Sequence, residues 1–156
     1  MISSFLFRKA TIEDIDALTD LRIDFLTEAN GRAFEQEKML RENILKYFNQ
    51  KITIDHFIAW LCLDKQSIVA TSGISFYEVP PTYNNPTGKV GYIMNMYTKK
   101  EYRRHGIARC LFEKMLEEGK NNGVGKFSLH ATKTGEILYA QYGFTMSGDE
   151  MILSIG

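Results

Sequence analysis

MYTKKEYRRHGIARCLF, residues 96–112, is the stretch on which the fold turns. Its first residues close an apolar, strand-like run that begins at Val90, and a basic turn follows. From Gly106 the spacing of Ala108, Leu111, Phe112 and Met115 predicts a helix to about Asn122. The turn is poorly suited to starting a helix on its own. First-turn N–H groups act as about half a positive charge, so Lys99, Lys100, Arg103, Arg104 and His105 are each disfavoured there by roughly 0.3–1 kcal/mol. No residue from Arg103 to Ala108 offers the Ser, Thr, Asp or Asn oxygen that usually caps those donors. Cations and bare N–H groups gathered at one point make a place for an anion.

Working outward, Asn122-Gly123 stops the helix, and residues 126–131 read as a strand in which Phe127, Leu129 and Ala131 alternate. The quoted stretch is therefore the centre of a strand–helix–strand crossover, expected to be right-handed. Residues 135–142 predict a short helix ended by Gly143, and residues 144–146 and 151–155 a closing pair of strands. Upstream, residues 57–63 and 67–77 are joined by Asp64-Lys65-Gln66 and predict an antiparallel hairpin. A loop of turn residues separates them from Val90. Nearer the start, residues 5–9 read as a short strand. Thr11 and Asp14 resemble a capping box heading a helix with Ile15, Leu18, Leu21 and Phe25 on one face. Asn30-Gly31 breaks that helix, and a second carries Leu40, Ile44, Tyr47 and Phe48. The expectation is one domain over residues 1–156, of α/β class (an α+β mixed sheet). The sheet is mostly antiparallel with one parallel crossover.

Composition narrows the function. Lys plus Arg (19) balance Asp plus Glu (19), so no global charge favours nucleic acid, and any basic site must be local. Two cysteines, Cys62 and Cys110, make no disulfide framework and are expected reduced and buried. No apolar run approaches the roughly 20 residues of a membrane-spanning helix. With no signal-like N-terminal segment either, the expectation is a soluble cytoplasmic protein without membrane or nucleic-acid partners. The three histidines are too scattered to suggest a metal site.

An anion-binding helix start after a strand has three common uses. A P-loop needs G-x-x-x-x-G-K-[ST], which the chain lacks. A dinucleotide fold needs G-x-G-x-x-G, but Gly106 stands alone. The third is the pyrophosphate of an acyl-CoA, with the pattern [QR]-x-x-G-x-[GA], which Arg103-Arg104-His105-Gly106-Ile107-Ala108 satisfies.

With that motif, and with Leu138-Tyr139-Ala140-Gln141-Tyr142-Gly143-Phe144 matching an L-Y-x-x-x-G-F segment, the chain resembles the GCN5-related N-acetyltransferase (GNAT) superfamily. The element order fits over nearly the whole chain, and residues 90–144 are the diagnostic part. The resemblance implies an acetyl-CoA-dependent N-acetyltransferase acting on a primary amine of a small molecule or peptide. It implies that the N–H groups of Arg104, His105, Gly106, Ile107, Ala108 and Arg109 cradle the pyrophosphate, with Arg103 heading the motif as a further cofactor-binding residue. It further implies a bulge that splays residues 90–98 from residues 126–131. The main chain of Met96 and Thr98 would bind the pantetheine arm there, and an N–H near Met96 would polarise the thioester. Tyr139 matches the tyrosine that protonates the departing thiolate.

Departures from the pattern are informative. Many members carry Glu near the bulge, where this chain has Met94 and Asn95, so the base is left among Glu78, His130 and Asp149. Thr132 stands where many members have an Asn that contacts CoA, and Lys100 where many have Pro. Arg32 and Phe34 fall where the family builds its acceptor site, and Tyr77, Tyr83 and Tyr92 are candidates to line it. The missing glutamate also leaves open a non-catalytic acyl-CoA-binding module on the same fold. A homodimer is compatible with all of this.

Overall fold

Apolar alternation on the second strand organises the molecule. In β2 (Phe57–Asp64), Phe57, Ala59, Leu61 and Leu63 join one core cluster, while Ile58, Trp60 and Cys62 join clusters on the opposite side. Such a strand is covered on both faces. The structure, a computed structural model, describes residues 4–31 and 34–156. Its sheet runs in the order β1 (Leu6–Lys9), β2, β3 (Ser67–Glu78), β4 (Lys89–Thr98), β5 (Lys126–Leu129). The first three pairings are antiparallel, and β4 with β5 is parallel.

One face is covered by α1 (Ile15–Asn30) and α2 (Phe34–Thr53), through Ile15, Leu18, Ile23, Ile44 and Phe48. The other is covered by α3 (Ile107–Asn121), through Ile107, Leu111, Phe112 and Met115, with α4 (Lys133–Ala140) beside it. Gly119 lets α3 lie close to the sheet, since a Cβ there would fall 2.1 Å from the Phe127 ring. Trp60 Nε1 donates to Glu118 Oε1 (3.0 Å) and Lys9 Nζ lies 2.9 Å from the same oxygen, so the buried Glu118 carboxylate is paired.

A 3₁₀ turn, Ile12–Asp14, leads into α1, and the capping box read in the sequence heads this turn. Thr11 Oγ1 accepts from Glu13 N–H (3.3 Å), Asp14 Oδ2 accepts from Thr11 N–H (2.8 Å), and Arg8 clamps both Asp14 oxygens at 2.8 and 2.9 Å. This pairing holds the Asp14 carboxyl below its ordinary range.

Three expectations are corrected. Residues 144–146 and 151–155 form no strands: Met146, Met151, Ile152, Leu153 and Ile155 are exposed, with no apolar face beneath them, and an isolated strand pair has little to stabilise it. The last helix begins at Lys133 instead of Gly135, because Thr132 is its N-cap and accepts from Gly135 N–H (3.2 Å). Cys62 is buried, its thiol pushed up to about 11 by loss of water, but Cys110 is only half-buried. Arg32 lies outside the described residues. No helix among those described is long and apolar enough to cross a membrane.

Candidate active site

Two irregularities in β4 open a cleft. Between Thr71 and Gly73 the β3 strand advances two residues, while its partner runs three, between Tyr97 and Met94. β4 therefore carries one extra residue, a bulge at Asn95 and Met96, and Asn95 takes the left-handed φ of 59°. The ladder to β5 ends at Ile93 with Leu129, so beyond it β4 has an unpaired edge. Lys99 N–H bonds to Val69 C=O (2.9 Å). Main-chain groups of an antiparallel strand alternate sides, so Tyr97 faces β3 as well, while Met96 and Thr98 face the open edge. An extended ligand finds strand-like partners there.

After β4 a short turn, Lys100–Tyr102, leads to the start of α3. Arg104 (φ 64°) and Gly106 (φ 79°) are both left-handed, which folds successive N–H groups toward one side. Gly106 is the N-cap and supplies no side-chain bond. Among the described residues, none of the N–H groups from Arg104 to Arg109 has an acceptor, and the first bonded amide is Cys110, to Gly106 C=O. Six donors in a row are left without a partner among the described residues.

The side chains around this cradle are mostly committed. The Arg103 guanidinium pairs with Glu28 of α1 (2.8 Å), donates from Nε to Thr98 C=O (2.8 Å) and covers the Tyr97 ring. Glu28 is held below its ordinary pKa range by the Arg103 bond. His105 Nδ1 lies 3.0 Å from Tyr102 C=O. Arg109 donates to Tyr142 Oη (3.1 Å) and to Gln141. Thr132 is engaged as the α4 cap. Ile107 is buried in the core, whereas Ala108 is exposed and small. Of the cations in this stretch, the Lys99 and Arg104 side chains have no protein partner among the described residues, and Arg104 is the one within the motif.

Tyr139, on α4, packs its ring against Phe112 (centroids 5.0 Å apart) and Phe144. Its hydroxyl has no hydrogen-bond partner among the described residues, and burial pushes its pKa up. On the α1/α2 side of the sheet the cleft is aromatic and polar. Tyr92 Oη lies 2.6 Å from His130 Nδ1, and Tyr47 Oη lies 2.9 Å from Ser75 Oγ. His130 directly follows the last paired segment of β5, where the two strands part. Glu78 pairs in register with Lys89 at the opposite end of β4, and Asp149 is bonded to Ser147 in the exposed C-terminal segment. Neither lies where β4 and β5 part, as His130 does. Asn95 is 2 % exposed, yet its Nδ2 and Oδ1 lack partners, as does Ser72 Oγ on the neighbouring strand.

Phe34 and Tyr83 are exposed and form no part of this arrangement, and Tyr77 is exposed near the end of β3. One group at the cleft was not anticipated: Arg22. Ile15, Leu18, Arg22 and Phe25 keep the spacing of an apolar helix seam, so a cation in that seam was the available signal.

Comparison with known proteins agrees with this geometry. Residues 28–153 match the acetyltransferase (GNAT) domain family. A structure from Clostridium acetobutylicum, described as a predicted acetyltransferase with acetyl-CoA, is 32% identical over 96% of each chain, with a TM-score of 0.86. A GCN5-related N-acetyltransferase from Ralstonia eutropha is 26% identical over 97% of this chain and 98% of its own, with a TM-score of 0.87. An aminoglycoside acetyltransferase from an uncultured soil metagenomic sample, 20% identical over 98% and 99%, shares the fold with a TM-score of 0.73.

Proposed function

The chain belongs to the acetyltransferase (GNAT) domain family, whose enzymes use acetyl-CoA, and from that premise we propose that it moves the acetyl group onto a primary amine of a small molecule or peptide by direct attack. The observation that carries this is the row of six unpartnered N–H groups before α3, set beside the free edge of β4. Such a cradle fits a diphosphate, and the small Ala108 and Gly106 leave room for it. Met96 and Thr98 fit the extended pantetheine arm, although the Thr98 carbonyl already accepts one bond from Arg103.

The proposed chemistry assigns each group one task. An amine of lysine type has a pKa of about 10.4, so it must lose a proton before it attacks. His130, held by Tyr92, is the base best placed at the parting of β4 and β5, directly or through a water. Attack forms a C–N bond and puts charge on the thioester oxygen, which an N–H near Met96 stabilises. Collapse breaks the C–S bond, and the nitrogen gives up its second proton to solvent water, from which Tyr139 is later reprotonated. The Tyr139 hydroxyl, free of protein partners and kept protonated by its raised pKa, gives its proton to the thiolate. That free hydroxyl favours turnover over a module that only binds acyl-CoA.

Thermal melts with and without acetyl-CoA test binding, because a ligand of the native state alone raises stability. Free thiol released across a panel of amines tests transfer. The expected result is a raised Tm and amine-dependent thiol release; no shift with acetyl-CoA would remove the proposal.

A further inference from the structure

We infer that Arg22 is an anion-binding residue of the acceptor site, and that the acceptor amine carries a carboxylate. This rests on the transferase proposal and narrows it.

Six arginines are described, and four have protein partners: Arg8 with Asp14, Arg41 with Asp20, Arg103 with Glu28, and Arg109 with Gln141 and Tyr142. The two without are Arg104, beside the amide cradle, and Arg22, on α1. Arg104 is exposed, so water serves it. Arg22 is half-buried in the helix seam, between the core residues Leu21 and Ile23, where burial strips its hydration and lowers its pKa. The groups within its electrostatic reach are the Tyr92 and Tyr47 hydroxyls, with no described carboxylate among them. Glu150 is felt at Tyr92 but makes no ion pair with Arg22. A half-buried guanidinium without a counter-ion is costly unless something supplies one.

The location gives the missing anion a function. Tyr92 touches His130, the base proposed above, and Tyr47 touches Ser75, which faces Tyr92 in the β3–β4 register. Arg22 thus lies beside the Tyr92 hydroxyl that holds the proposed base, on the α1 side of β4. A planar guanidinium binds a carboxylate through two parallel hydrogen bonds, and neutral tyrosine hydroxyls can add single donors. One cation with neutral neighbours matches a single negative charge better than the two of a phosphate. The same cation repels polyamines and other polycationic acceptors.

The test compares the common amino acids with their α-carboxamides, and adds phosphoethanolamine and spermidine. Each compound is scored by thiol release and by further stabilisation of the CoA-bound protein. The second readout needs no turnover, and the melt with acetyl-CoA alone reports the transferase proposal separately. At least one amino acid should exceed its carboxamide in kcat/KM by about tenfold or more, as expected for a charge-assisted contact, and should alone raise Tm. In Arg22→Gln that preference should fall to parity through KM, and Arg22→Lys should recover part of it. Equal response to acid and amide, preference for spermidine or phosphoethanolamine, discrimination that survives Arg22→Gln, or no response to any compound would each overturn the inference.

Discussion

The molecule begins two of its helices in opposite ways. Ahead of α1, at the 3₁₀ turn Ile12–Asp14 that leads into it, Thr11, Asp14 and Arg8 satisfy the entering backbone with side chains a few residues away. At α3, a left-handed glycine stands where the cap belongs, the first turn holds no acid, and six amides go unpaired. The first arrangement stabilises a helix by about 1 kcal/mol. The second forgoes that stabilisation and gathers positive charge instead. The difference teaches that unmet backbone bonding, placed beside a strand edge that is also unmet, marks a ligand site.

The most severe way to break the contrast is to place an acid in the bare end. Gly106→Glu adds bulk and a negative charge where the phosphates would lie. The stabilisation by acetyl-CoA should vanish, with the melt of the free protein separating this from unfolding. Next in size is Tyr139→Phe, which leaves the cradle intact. It should lower kcat about 100-fold, as loss of a general acid does, while acetyl-CoA still shifts Tm as before. Equal turnover would take Tyr139 out of the mechanism. Then comes the capped end: Thr11→Ala should cost about 1 kcal/mol in denaturant melts and leave the acetyl-CoA shift unchanged.

The smallest effect is in pH. Asp14 is held below its ordinary value by its bond to Arg8, so the unfolded chain binds more protons there than the folded one. The stability it contributes is full above the ordinary carboxylate pKa and fades as pH falls through the lowered one. Asp14→Asn should flatten that acid limb of the stability curve.

Legibility in the sequence divides along the same line. Features built from neighbouring residues could be read: the Thr11 and Asp14 box, the hairpin at Asp64-Lys65-Gln66, and the capless stretch from Arg103 to Ala108. Features built across the chain could not. Arg103 reads as a phosphate ligand until Glu28, 75 residues away, is seen to hold it. Thr132 occupies a cofactor position in the motif, yet its oxygen is bonded to Gly135 N–H. The apolar run at residues 151–155 reads as a strand, but an apolar run does not supply the face on which a strand must pack. Arg22 is visible in the sequence as a cation in an apolar seam, but its proposed role needs Tyr92, Tyr47 and the lack, among the described residues, of a carboxylate beside it.

Residue-resolved amide hydrogen exchange, with and without acetyl-CoA, tests the central claim most directly. The account predicts that the amides of residues 104–109 exchange freely in the free protein and become protected together when acetyl-CoA binds, while those at Thr11 and Glu13 do not change. Protection of residues 104–109 already present without ligand, and unaltered by it, would contradict it.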